Sequence, residues 1–125
     1  MSTMLVIPGD HPDGWQFAAG VNGILNSNVA VTAAPAPSNT PYFNCVSALQ
    51  LMAEALGSAT EFVIKGSVSG TILWRTKIGT GGLPGLSAVF SPPLQAPAGD
   101  AIQIQTLTAS VTGAVYANLQ GFTAP

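Results

Sequence analysis

The sequence predicts an all-β protein, an antiparallel β-sandwich with an extended N-terminal arm. Three observations carry this expectation. Short runs of β-branched and aromatic residues recur about every 8–12 positions. The 14 Gly and 10 Pro residues fall largely between those runs, where they mark turns. Side chains also alternate with period two, most cleanly where Ile102 and Ile104 interleave with Gln103 and Gln105.

Residues 1–41 differ from the rest. Pro8-Gly9-Asp10-His11-Pro12-Asp13-Gly14 is turn chemistry throughout. Trp15-Gln16-Phe17 and residues 21–31 are apolar but interrupted by Gly20, Asn22, Gly23, Asn26 and Asn28. Asn22-Gly23 is a strong turn signal. Ala33-Ala34-Pro35-Ala36-Pro37 and the residues up to Pro41 read as an extended, polyproline-like linker. The segment is expected to supply an extra strand or two, or an arm that packs on a neighbouring subunit. Residues 42–125 are expected to form the sandwich domain.

Residues 42–56 are ambiguous. As a helix, Val46, Leu49, Met52, Ala53 and Leu56 share a face. As a strand, Cys45, Ser47, Leu49, Leu51 and Ala53 point inward. Their Ala, Leu, Met and Glu content favours helix by propensity.

The later elements are plainer. Thr60-Glu61-Phe62-Val63-Ile64-Lys65 is a strand closed by Gly66. After the turn Ser67-Val68-Ser69-Gly70, residues 71–78 form its hairpin partner. There Ile72, Trp74, Thr76 and Ile78 fall on one face, and Leu73, Arg75 and Lys77 on the other. Residues 79–85 read as a glycine-rich loop. Residues 86–90 read as a short strand stopped by Pro92-Pro93. Residues 101–106, 108–112 and 114–122 complete the set. In the last, Val115, Ala117, Leu119 and Gly121 share one face, and Tyr116, Asn118, Gln120 and Phe122 the other. Strands so spaced read as a sandwich or jelly roll.

Only 6% of residues are charged, against about 25% in a typical soluble domain. A charge-poor surface is weakly protected against association, and suits a chain covered by partners. The net charge of −2, with only Lys65, Arg75 and Lys77 positive, argues against a nucleic-acid partner. No apolar run approaches the ~20 residues of a membrane-spanning helix, so no membrane partner is expected. A single cysteine, Cys45, allows no intrachain disulfide. With no basic leader at the N-terminus, folding in a reducing cytoplasm is expected.

No constellation promises chemistry. Asp10, His11 and Asp13 lack the further ligands that zinc or calcium requires, and read as turn caps. Cys45 with His11 lacks a third group to orient a base, and a lone Cys in an apolar strand reads as a small hydrophobe. Nothing sets Glu54 and Glu61 at a glycosidase spacing. Gly79-Thr80-Gly81-Gly82 lacks the Lys-Ser/Thr of a phosphate loop. Glu61, Lys65, Arg75 and Lys77 occupy two arms of one hairpin and suit cross-strand ion pairing. The expectation is therefore no catalysis, no cofactor and no metal.

Ala59-Thr60-Glu61-Phe62-Val63-Ile64-Lys65, Gly70-Thr71-Ile72-Leu73-Trp74-Arg75, Phe90-Ser91-Pro92-Pro93-Leu94, Ala101-Ile102-Gln103-Ile104 and residues 113–122 together resemble small virion proteins of tailed bacteriophages. These have a jelly-roll-like domain, and some related proteins serve as capsid decoration (cement) proteins. The resemblance covers about residues 42–125 and leaves the first forty unmatched. It implies a strand at residues 42–56 against their propensity. It also implies self-assembly as a homotrimer on a capsid or tail surface; in the decoration role the expected partner is the major capsid protein, on the capsid surface after synthesis in the host bacterium. The candidate interface residues are then Trp15, Phe17, Ile24, Leu25 and Trp74. Two other roles fit the same residues: a tail, baseplate or fibre component, and a carbohydrate-binding module at the host surface.

Overall fold

A computed structural model describes residues 13–18, 28–38, 41–108 and 112–125. It contains eight strands: β1 (Asp13–Ala18), β2 (Val31–Ala34), β3 (Phe43–Ala53), β4 (Thr60–Gly66), β5 (Ile72–Ile78), β6 (Leu83–Gln95), β7 (Ile102–Thr106) and β8 (Val115–Ala124). No helix occurs among the described residues.

The strands form two four-stranded antiparallel sheets, in the orders β1-β8-β3-β6 and β2-β7-β4-β5. The first is called sheet A here and the second sheet B. One rule generates most of this order. β1 pairs with β8, β2 with β7, β3 with β6 and β4 with β5, as in a single long hairpin folded over on itself. Two further ladders, β3 with β8 and β4 with β7, stitch the four pairs into two sheets. This eight-stranded double wrap is the jelly-roll form of the β-sandwich.

Two stretches of the first 41 residues are therefore strands of the sandwich itself. β1 borders sheet A and β2 borders sheet B. Residues 1–12 and 19–27 lie outside the described residues.

Residues 43–53 are a strand, and the helical alternative is overturned. Helix propensity separates Ala, Leu and Met from β-formers by at most about 0.7 kcal/mol per residue. As a central strand, β3 instead pairs along both edges and buries Val46, Leu49 and Leu51 almost completely. Each such burial contributes about 1.5–3 kcal/mol. The strand does not alternate evenly. A bulge between Val46 and Ala48 resets its register, so Asn44 and Val46 point inward before it and Leu49, Leu51 and Ala53 after it. Cys45 and Ser47 are thus not on the core face, contrary to the simple period-two expectation.

A second irregularity changes β5. Ile64 pairs with Trp74, but Lys65 pairs with Ile72, so one residue is skipped at Leu73. Ile72 consequently leaves the face of Trp74 and is exposed, while Leu73 packs against the core. β6 is also longer than expected and continues through Pro84, Pro92 and Pro93. Proline removes a ladder donor, and all three prolines fall in bulged stretches of β6 that have no register partner on β3. Thr108 and Thr112 are outside any strand, and residues 109–111 lie outside the described residues.

The core is the space between the sheets. Phe62, Ile64, Ile78, Ile102 and Ile104 from sheet B meet Val46, Leu49, Leu51, Val115, Ala117 and Leu119 from sheet A. Trp74 closes the side where β5 and β6 approach. Its ring stands edge-on to Phe62 at 6.3 Å and to Phe90 at 6.1 Å, a favoured geometry.

Polar side chains lock one end. Buried Asn44 donates through Nδ2 to the Pro35 carbonyl oxygen at 2.8 Å and to that of Asp100 at 3.0 Å. Its Oδ1 accepts from Thr123 Oγ1 at 2.6 Å. Asp100 Oδ2 in turn accepts from Ser69 N at 3.2 Å and Ser69 Oγ at 2.6 Å. The carboxylate lies so close over Gly66 that a side chain there would collide with it. These bonds join the β2–β3, β4–β5 and β6–β7 connections, and satisfy groups that are costly to bury alone.

Candidate assembly surface

The few charges are distributed unevenly. Glu61, Lys65, Arg75 and Lys77 lie on β4 and β5 and share the outer face of sheet B. Beneath them Val63 is fully buried, flanked in register by Arg75 and Gln105. Long polar side chains cover apolar surface with their stems in this way. Asp100 is buried, and Glu54 follows β3, where its Oε1 accepts from Ala114 N at 3.2 Å.

The outer face of sheet A is the opposite case. Across it the register sets Gln16 beside Gln120, Ala18 beside Asn118, and Met52 beside Tyr116. Gln50 stands between Asn118 and Ser87, and Ala48 between Gln120 and Val89. None of these side chains is charged. Amides, small residues and two exposed apolar groups, Met52 and Val89, make up the surface. Shallow open depressions cross it. One, of about 280 Å³, is lined by Gln50, Met52, Ser87, Tyr116 and Asn118. Another, of about 110 Å³, shares Gln50 and Asn118 with it and extends to Ala48 and Gln120.

Electrostatics on the charged sheet are simple. Arg75 Nε and Nη2 donate to Glu61 Oε2 and Oε1 at 2.5 and 2.9 Å, a bidentate pair. This hydrogen bonding holds the Glu61 carboxyl below the ordinary carboxylate range and raises Arg75 further. The pair is exposed, so its effect on stability is small and screened by salt.

The sequence candidates are scattered. Trp15 and Phe17 lie on β1 with their side chains packed against their own core. The Trp15 indole nitrogen is buried with no hydrogen-bond partner among the described residues. Trp74 is half-buried between Phe62 and Phe90. Ile24, Leu25, Asp10 and His11 lie outside the described residues. Asp13 begins β1. Cys45 is buried, and burial pushes its thiol up, away from the reactive thiolate. Glu54 follows β3 of sheet A, Glu61 lies on β4 of sheet B, and the two have different partners. Gly79–Gly82 is a tight turn closed by Gly82 N donating to Gly79 O at 3.0 Å. Among the described residues no three His, Cys, Asp or Glu side chains gather as metal ligands do.

Sequence reasoning missed the uncharged face. Its signal was present in Gln50, Asn118 and Gln120, polar positions alternating with buried ones. Their meeting depends on the strand order. No family model matches this chain, and comparison with curated proteins finds no relative.

Proposed function

We propose that this chain is a virion structural protein of a tailed bacteriophage, a capsid decoration protein that stabilises the head through protein–protein contacts. The supporting observation is the outer face of sheet A, which carries no charge across four strands. Burying a charge without its partner is expensive, and interface centres are accordingly depleted of charged residues. A face made of amides, Ala, Met and Tyr can be covered without that cost. Jelly rolls recur in viral shells, which agrees with the reading at the level of fold analogy. In this role the chain is adhesive, and no step requires a nucleophile, a metal or a cofactor.

The test is occupancy of purified capsids. Wild-type chain is added back to heads that lack it, and bound protein is counted by quantitative gel analysis. Gln50→Lys with Gln120→Lys places two charges in the contact. An unpaired buried charge costs about 3 kcal/mol or more, which is about a hundredfold in affinity. Lys77→Gln, on sheet B, leaves occupancy unchanged. Equal occupancy by the double variant, or labelling of the tail rather than the head, counts against the reading.

A further inference from the structure

Among the described residues each sandwich edge ends in a strand with one unpaired side, and three of the four are guarded by shortness or charge. β5 carries Arg75 and Lys77. β2 is four residues long, and β1 is six and begins at Asp13. Shortness and charge are the usual means of keeping edges from pairing with other chains. β6 has neither. It is thirteen residues long, contains no charged residue, and has β3 on one side only. Leu86, Ser87, Ala88 and Val89 pair in unbroken register with Leu51, Gln50, Leu49 and Ala48, so this part of the edge is regular. Val89 is 83% exposed.

The segment is also nearly a mirror of itself. Pro84 and Pro92 stand four residues either side of Ala88. Between them Leu86 matches Phe90, and Ser87 matches Val89. Resting on the reading of an assembly protein, we infer that the β6 edge binds the β6 edge of a second copy, antiparallel, about a two-fold axis at Ala88. In this register Leu86 faces Phe90 of the second copy, joining two residues that already pack at the rim of the core. Ser87 faces Val89 of the second copy. Pro84 lies opposite Pro92 of the second copy, and since neither has an N–H the ladder stops there. The prolines, with the bulges at residues 84–85 and 90–93, therefore limit pairing to residues 86–90 and keep it closed at two copies. Sheet A becomes eight strands wide, and its uncharged face is doubled. The state is a dimer, not the trimer that the family resemblance implies. One strand pair is a small contact, so the association is concentration-dependent.

Sedimentation of the full chain over a concentration series tests this. The expected result is a shift from one chain mass to two. Ser87→Lys/Val89→Lys sets like charges against each other across the axis, and is expected to stay monomeric with an unchanged circular dichroism spectrum. Met52→Lys, on the same face but away from the edge, still dimerises. Register has its own readout. Ser87→Cys and Val89→Cys chains, oxidised as a mixture, form the mixed disulfide faster than either forms its own. A wild-type monomer at every concentration, a mass of three chains, or a dimer indifferent to the lysine pair overturns the proposal. Capsid occupancy is a separate result. A monomer that still decorates heads refutes the edge pairing alone, and a dimer that leaves heads bare refutes the capsid role alone.

Discussion

The indole ring of Trp15 lies directly over Gly121, its register partner across the β1–β8 ladder. A side chain at Gly121 would collide with the ring and with the carbonyl oxygen of Cys45 on the other neighbouring strand. Glycine is what lets the inward-facing Trp15 settle onto sheet A and cover the core at its β1 margin. Gly121→Ala is accordingly expected to lower stability by about 3 kcal/mol, the upper end for overpacking, because backbone obstructs it as well as a side chain. Urea unfolding followed by tryptophan fluorescence measures this. An unchanged midpoint would show that β1 does not depend on the bare glycine.

Asn44 holds three separate segments through one amide. Asn44→Ala removes the donors to Pro35 and Asp100 and the acceptor for Thr123. A buried group left unsatisfied costs about 1–3 kcal/mol, so a loss of about 2–3 kcal/mol in urea unfolding is expected. Asn44→Asp has nearly the same shape but turns two donors into an acceptor facing two carbonyl oxygens. It is expected to be at least as destabilising at neutral pH. A tolerated Asn44→Asp would contradict the hydrogen-bond assignment.

The Glu61–Arg75 pair has a defined pH signature. Hydrogen bonding to Arg75 lowers the folded-state pKa of Glu61 from 4.5. A depressed carboxyl contributes stability above its unfolded pKa and loses it as pH falls through the folded value. The stability difference between wild type and Arg75→Ala should therefore be present at pH 7 and vanish below that window. It should also shrink in 1 M salt, because the pair is exposed. Chemical denaturation at several pH values checks both. A difference that grows on acidification would reverse the assigned sign.

Much of the sandwich was legible residue by residue. The hairpin of β4 and β5, the alternation of Ile102 and Ile104, and the inward row Val115, Ala117 and Leu119 all lie where local pattern places them. The failures are equally specific. Ser47 and Leu73 sit where bulges shift the register, and a bulge obeys pairing with a neighbour rather than any local preference. Residues 43–53 have the composition of a helix, and two flanking strands make them β. The uncharged face of sheet A was hidden for a related reason. Trp15, Phe17 and Trp74 draw the eye as large apolar residues, yet all three pack against the core.

Composition and alternation suffice to specify a charge-poor all-β chain, because a strand with one wet and one dry face declares itself within a few residues. They do not say which strand lies beside which. That choice is made by long-range pairing, in which β1 finds β8 and β3 finds both β6 and β8. Gln16, Gln50, Ser87 and Asn118 come from four strands distant in the chain, and they form one uncharged face only in that order. Alternation reports a strand's own two faces, whereas a surface is a sum over neighbours, which is why the face had to wait for the fold.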